Sequence, residues 1–208
     1  TITSSISCSQ AGDNGWCKGT GVLTLTASDP QNYPLTISGD IGGTPFTCAA
    51  GNACFQPPPQ GSGAINYTAT AAQSGMSADG STTWKLDATP PSVNGTLSGA
   101  LGSNGWYLGP VTYNGSASDA LSGLGSLTCT LDGSPLGSCT PVTVTGEGAH
   151  TLVITARDLA GNVQTLNQNI SLDIQNPNLT ANLSGTLGSN NWYTSAVLNA
   201  SASDPAPG

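Results

Sequence analysis

Residues 102–119 spell GSNGWYLGPVTYNGSASD, and residues 188–204 spell GSNNWYTSAVLNASASD. A third version, GDNGWCKGTGVLTLTASD, occupies 12–29. Trp16, Trp106 and Trp192 mark the phrase at spacings of 90 and 86 residues, and Asp29, Asp119 and Asp204 close it. A period of about 88 residues is too long for a solenoid repeat and suits a small autonomous domain. Within the phrase, Val111, Tyr113, Gly115 and Ala117 share one phase, and Thr112, Asn114, Ser116 and Ser118 share the other. That alternation has period two, the pattern of a half-buried strand.

The rest of the middle repeat continues in the same way. SLTCTLDG (126–133) and PVTVTGEG (141–148) follow, then HTLVITARD (150–158) with His150, Leu152, Ile154 and Ala156 on one phase. NISLDI (169–174) places Ile170, Leu172 and Ile174 inward. Turns of Gly, Asn, Asp and Pro separate the runs every 8–12 residues: GSNG, DGSP, GEGA, LAGN. No window carries a useful helical period. About seven short strands in under 90 residues predict an all-β chain of tandem immunoglobulin-like β-sandwiches.

The first repeat follows the plan. LTLTASD (23–29), GTPFTC (43–48), INYTATA (65–71) and TTWKLD (82–87) stand where the middle repeat has its strands. The expected division is 1–89, 90–176, and an incomplete third repeat at 177–208 holding the first two strands. DATPP (87–91) and DIQNP (173–177) join the repeats. Proline lacks an N–H and stiffens such a link, so the joints are short semi-rigid hinges.

Composition bounds the function. The 208 residues include three basic side chains (Lys18, Lys85, Arg157) against eleven acids, for a net charge of −8. So few cations cannot neutralise a phosphate backbone or an anionic lipid surface, which excludes nucleic acid as a partner. No stretch approaches the length of a membrane helix, and TITSSISCSQ (1–10) has neither the basic start nor the apolar run of a signal peptide. Six cysteines fall as three close pairs, and nearest-neighbour bonding gives Cys8–Cys17, Cys48–Cys54 and Cys129–Cys139. Metal binding is the rival, but there is no CxxC and no Cys near the single histidine. Short disulfide loops suit an oxidising, extracellular setting.

The order DATPP, GSNGWY, SASD, TARDLAGN resembles the bacterial Ig-like tandem repeats of large surface adhesins and extracellular filaments. The likeness covers nearly all the chain. The first repeat departs from it, with AAQSGMSADG (71–80) in place of ARDLAGN and an inserted CAAGNAC (48–54). The resemblance implies non-enzymatic, extracellular structural or adhesive work, with calcium at some domain junctions.

Catalytic chemistry is poorly represented. His150 would have to serve any Ser–His–Asp hydrolase, yet it sits on the apolar phase at the start of a strand, and no GxSxG is present. Glu147, the single glutamate, lies in a GEG turn, which is a poor start for a glycosidase pair. No catalytic residue is assigned and no cofactor is required.

One constellation stands out. In an Ig-like sandwich the first strand enters at the end carrying the second-to-third and sixth-to-seventh strand loops. This brings Asp87, Asp119 and Asp158 to one hinge, with Asn162 as a carbonyl donor. Carboxylates without local cations repel, and calcium takes such oxygen ligands; the competing view is that the acids cap turns. Asp173 and Asp204 could begin an equivalent site. The phrase tryptophans are expected to pack at a sandwich edge, although exposed Trp can stack on sugars. Trp84 is expected in the core. Sequons occur at Asn66, Asn94, Asn114, Asn169, Asn178, Asn182 and Asn199, all on polar strand phases where a glycan could stand in solvent.

The expected function is a repeat segment of a long surface fibre, adhesin or filament, giving reach, stiffness and cell-surface contact. Its partners would be further repeats or copies of the same chain. Strand addition by 177–208 is one route, because a lone hairpin cannot bury a core. The competing class is a carbohydrate-binding accessory module of a secreted enzyme, contacting polysaccharide.

Overall fold

The alternation becomes strands wherever one phase can be buried. In a computed structural model of the protein, residues 1–48, 51 and 53–204 are described here. The inserted CAAGNAC therefore lies partly outside the described residues. In the first repeat the strands are β1 (Ile2–Cys8), β2 (Gly21–Ala27), β3 (Leu35–Ile41), β4 (Thr44–Cys48), β5 (Ala53–Gln56), β6 (Gly61–Ala71) and β7 (Ser77–Leu86). In the middle repeat they are β8 (Ser92–Ser98), β9 (Val111–Ser118), β10 (Leu124–Leu131), β11 (Ser134–Pro135), β12 (Val142–Val144), β13 (Gly148–Asp158) and β14 (Val163–Leu172). β15 (Asn178–Leu187) and β16 (Tyr193–Ser203) follow. The chain is all-β.

The sheet orders repeat. The first seven strands form sheets β1-β2-β5 and β4-β3-β6-β7, and the next seven form β8-β9-β12 and β11-β10-β13-β14. Both sets carry the connectivity of an immunoglobulin-like sandwich, with first, second and fifth strands in one sheet and the rest in the other. In the first set, Leu23, Leu25, Ile37, Ile65, Tyr67, Trp84 and Leu86 form the core. Trp84 is there as expected, its indole N–H donating to the Pro59 carbonyl at 3.1 Å. In the middle repeat Val111, Tyr113, Val142, Val144, Leu152, Ile154, Ile170 and Leu172 are buried. Each such aliphatic side chain contributes about 1.5–3 kcal/mol through removal from water.

One expectation needs correcting. Ile174 is 46% exposed rather than inward. β14 ends at Leu172, and the Ile174 N–H is drawn to Glu147 Oε2 at 2.9 Å as the chain leaves the sheet. His150 keeps the phase of Leu152, Ile154 and Ala156 near the start of β13, as expected, and is partly buried with its ring meeting polar acceptors.

The cysteines bond as Cys8–Cys17, Cys48–Cys54 and Cys129–Cys139. Cys48 is on β4 and Cys54 on β5, so that bond staples one sheet to the other.

β15 and β16 pair alone in an antiparallel hairpin. Directly opposed residues share a face, so Leu179, Ala181, Leu183, Ala196, Leu198, Ala200 and Ala202 form one apolar side. Asn178, Thr180, Asn182, Asn199, Ser201 and Ser203 form the other. Both sides are exposed, Leu198 at 65%.

By density of contacts the chain divides differently from its sequence period. One compact unit comprises Thr1–Asn94, Ser116–Thr128 and Ile154–Leu166, and the second comprises Gly95–Gly115, Cys129–Val153 and the chain from Asn167 onward.

Candidate functional site

The acids close to one another lie in the first compact unit. Asp87 follows the last residue of β7, Asp119 follows β9, and Asp158 ends β13. Each strand delivers its acid at the point where pairing stops. Asp87 is 0% exposed and Asp158 2%, and Asp119 is half-buried. One carboxylate oxygen from each lies within 4.8 Å of the other two. At that separation each pair of charges repels by roughly 1–4 kcal/mol for effective dielectrics between water and a protein surface.

Amide groups surround the cluster. Asp87 accepts from Thr89 N–H (2.9 Å) and Ser122 N–H (3.0 Å). Asp119 Oδ1 accepts from the N–H groups of Leu121, Ser122 and Gly123 at 3.1, 2.9 and 2.9 Å. Asp158 takes the Asn162 N–H on Oδ1 and the Asn162 Nδ2 on Oδ2, both at 2.8 Å. Asn162 also donates from Nδ2 to the Asp87 carbonyl at 3.0 Å. Its amide nitrogen, rather than its oxygen, therefore faces these acids. The donor set is all oxygen, two of its three carboxylates are buried, and the ion pairs found among the described residues lie elsewhere. This is the chemistry calcium selects. Asp173 and Asp204 belong to no such group among the described residues.

The protein's three basic side chains sit beside this cluster rather than in it. Arg157 pairs with Asp13. Lys18 Nζ donates to the Gly161 carbonyl at 3.1 Å, and Lys85 Nζ to the Asn14 carbonyl at 3.5 Å, with Lys85 also 5.9 Å from the centre of the Trp16 ring. Asp13 N–H reaches the Ala160 carbonyl at 2.9 Å, and Asn14 Nδ2 the Leu159 carbonyl at 2.8 Å. Residues 13–18 of the first phrase thus grip the DLAG turn that carries Asp158. Sequence reasoning found the phrase and the turn but not their pairing. The signal available was the polarity of GDNGWCK beside RDLAG.

The remaining candidates are dispersed. His150 Nδ1 meets Asp132 Oδ2 at 2.7 Å and Nε2 meets the Gly146 carbonyl at 3.1 Å. Two acceptors around one ring favour the imidazolium, and the hydrogen bond to Asp132 raises the His150 pKa above its ordinary value. The same bond lowers that of Asp132. With both nitrogens engaged, the ring does not have the arrangement of a catalytic base. Trp16 and Trp106 are partly buried, while Trp192 is 77% exposed. All seven sequon asparagines are exposed.

No family model matches the chain, and no curated protein matches it. Among solved structures it is similar to the fibronectin(III)-like modules of Clostridium thermocellum CbhA, at a TM-score of 0.32 and 16% identity, covering 82% of this chain and 95% of that one. No helix of the described residues is long and apolar enough to cross a membrane.

Proposed function

We propose that this chain is a non-enzymatic, extracellular array of Ig-like modules, a segment of a surface fibre, adhesin or filament whose work is reach, stiffness and contact. The observation that carries the reading is one sandwich connectivity occurring twice in succession, joined by the proline link 87–91. The hold of residues 13–18 on 157–161 supports a stiff linkage. Three short-loop disulfides support an oxidising location, each contributing about 2–3 kcal/mol. Electron microscopy of the native material tests this: beads at a regular spacing along a fibre are expected, and dispersed particles would overturn it.

Within this reading, Asp87, Asp119 and Asp158 hold a Ca²⁺ that neutralises the cluster and stiffens the segment. A ligand at a hundredfold its Kd adds about 2.7 kcal/mol to stability. Calcium should therefore raise the melting temperature by several degrees and chelator reverse it, with D158N blunting both; no shift with either reagent rejects the ion.

The hairpin β15–β16 is the counterpart of β1–β2 and β8–β9, whose second strands pair with β5 and β12. Its uncharged outer edge and apolar side suit addition of a further strand from a neighbouring repeat or copy. Glycans on the seven sequons are part of the same proposal, and intact mass tests them. The second reading, a carbohydrate-binding accessory module, is favoured by one observation, the exposed Trp192 beside Tyr193. Quenching of Trp fluorescence by polysaccharide, lost in W192A, would support it.

A further inference from the structure

The phrase is present three times, and its first copy has a partner. Gly12 N–H donates to the Trp16 carbonyl at 2.9 Å, Trp16 N–H to the Asp13 carbonyl at 2.9 Å, and Asn14 takes a positive φ of 52°. The turn is fastened to the last strand by Cys17 N–H to Lys85 O and by Asp87 N–H to Cys17 O. So shaped, it directs the Asp13 N–H and the Asn14 amide at consecutive carbonyls of the turn 157–161. A Cβ on Gly12 would stand 2.5 Å from the Ala160 carbonyl, so only glycine permits the approach.

The second copy has the same form. Gly102 N–H donates to the Trp106 carbonyl at 2.7 Å, Trp106 N–H to the Ser103 carbonyl at 3.2 Å, and Asn104 has φ 56°. Tyr107 N–H goes to Ser171 O and Asp173 N–H to Tyr107 O, matching the fastening of the first copy step for step. Ser103 and Asn104 are exposed. Asp173 stands where the first copy has Asp87, which accepts the Ser122 N–H; Asp173 Oδ1 is buried with no partner among the described residues.

We infer that the turn Gly102–Trp106, with Asp173 beside it, is a socket for a D-L-A-G-N-type turn of another module, which it grips through two backbone carbonyls as Asp13 and Asn14 grip Ala160 and Leu159. This rests on the array reading and names the contact by which modules recognise each other. Ser103 replaces Asp13 and Leu108 replaces Lys18. The second socket therefore lacks the charges that face Arg157 and Gly161, and it selects a turn in which the residue preceding the aspartate is uncharged or solvent-directed.

A cyclic peptide of sequence Ala-Asp-Leu-Ala-Gly-Asn-Val, residues 157–163 with alanine in place of Arg157, is titrated into the full chain with amide shifts followed by NMR. Saturable shifts are expected at Ser103 and at the Asn104 side chain, with Asp13 unmoved because its site is filled. Asn104→Gly keeps the turn's backbone and removes the amide, and should weaken binding about fivefold, the worth of one hydrogen bond. A peptide with valine for its glycine should not bind. No saturable shift at Ser103, or equal affinity in N104G, overturns the socket. The outcome is independent of fibre morphology. Beads with a silent Ser103 reject the socket alone; dispersed particles with a responsive Ser103 reject the array and leave the socket.

Discussion

Single residues set the local tolerances of this fold. Tyr113 is buried with its ring against two glycines: a Cβ on Gly95 would lie 2.3 Å from ring atoms, and one on Gly115 would lie 2.5 Å from them. Gly115→Val should cost about 1–3 kcal/mol through overpacking, measured by chemical denaturation. His150 and Asp132 give the chain a defined pH response. The folded His150 pKa is raised, so its contribution is full below the ordinary value of about 6.5 and is lost as pH rises through the folded value. The Asp132 pKa is lowered, so its contribution is present above the usual carboxylate range and is lost as pH falls through the folded value. The pair therefore helps most between those limits. Asp132 is 47% exposed, so the effect should stay under about 1 kcal/mol. Stability should decline as pH rises above about 6.5 in the native chain and stay flat in H150Q; identical profiles would remove the pair from the account.

At the scale of elements, the strand ends carry the specificity. Gln60 immediately precedes β6 and Glu147 immediately precedes β13. Gln60 Oε1 accepts the Ala88 N–H at 3.0 Å, and Glu147 Oε2 accepts the Ile174 N–H at 2.9 Å. Both residues clasp the amide of the residue after the Asp that follows a last strand. Hydrogen exchange at Ile174 should accelerate in E147A and stay protected in E147Q, whose amide oxygen still accepts; equal rates in both would show the clasp to be idle. The β15–β16 hairpin is the opposite case. With its apolar side in solvent it has no core to hold it. Its amides should exchange far faster than those of β6 in the isolated chain, and slow when a complementary strand is added.

At the scale of the molecule, polar contacts concentrate at the places where strands end. The sequence alone determined the period of repetition, the strand phases, the neighbour pairing of cysteines and the meeting of Asp87, Asp119 and Asp158. The first three are properties of nearby residues, since side-chain alternation and short disulfide loops are set within about ten positions. The fourth follows from the topology those strands impose. Tertiary structure alone decided that Arg157 pairs with Asp13, 144 positions away, and that Lys18 and Lys85 hold loop carbonyls while Asp87, Asp119 and Asp158 have no ion-pair partner among the described residues. It also decided that Ile174 turns outward to Glu147. Such contacts depend on which loops the closed sheets bring face to face, and a pattern of alternating residues carries no record of that.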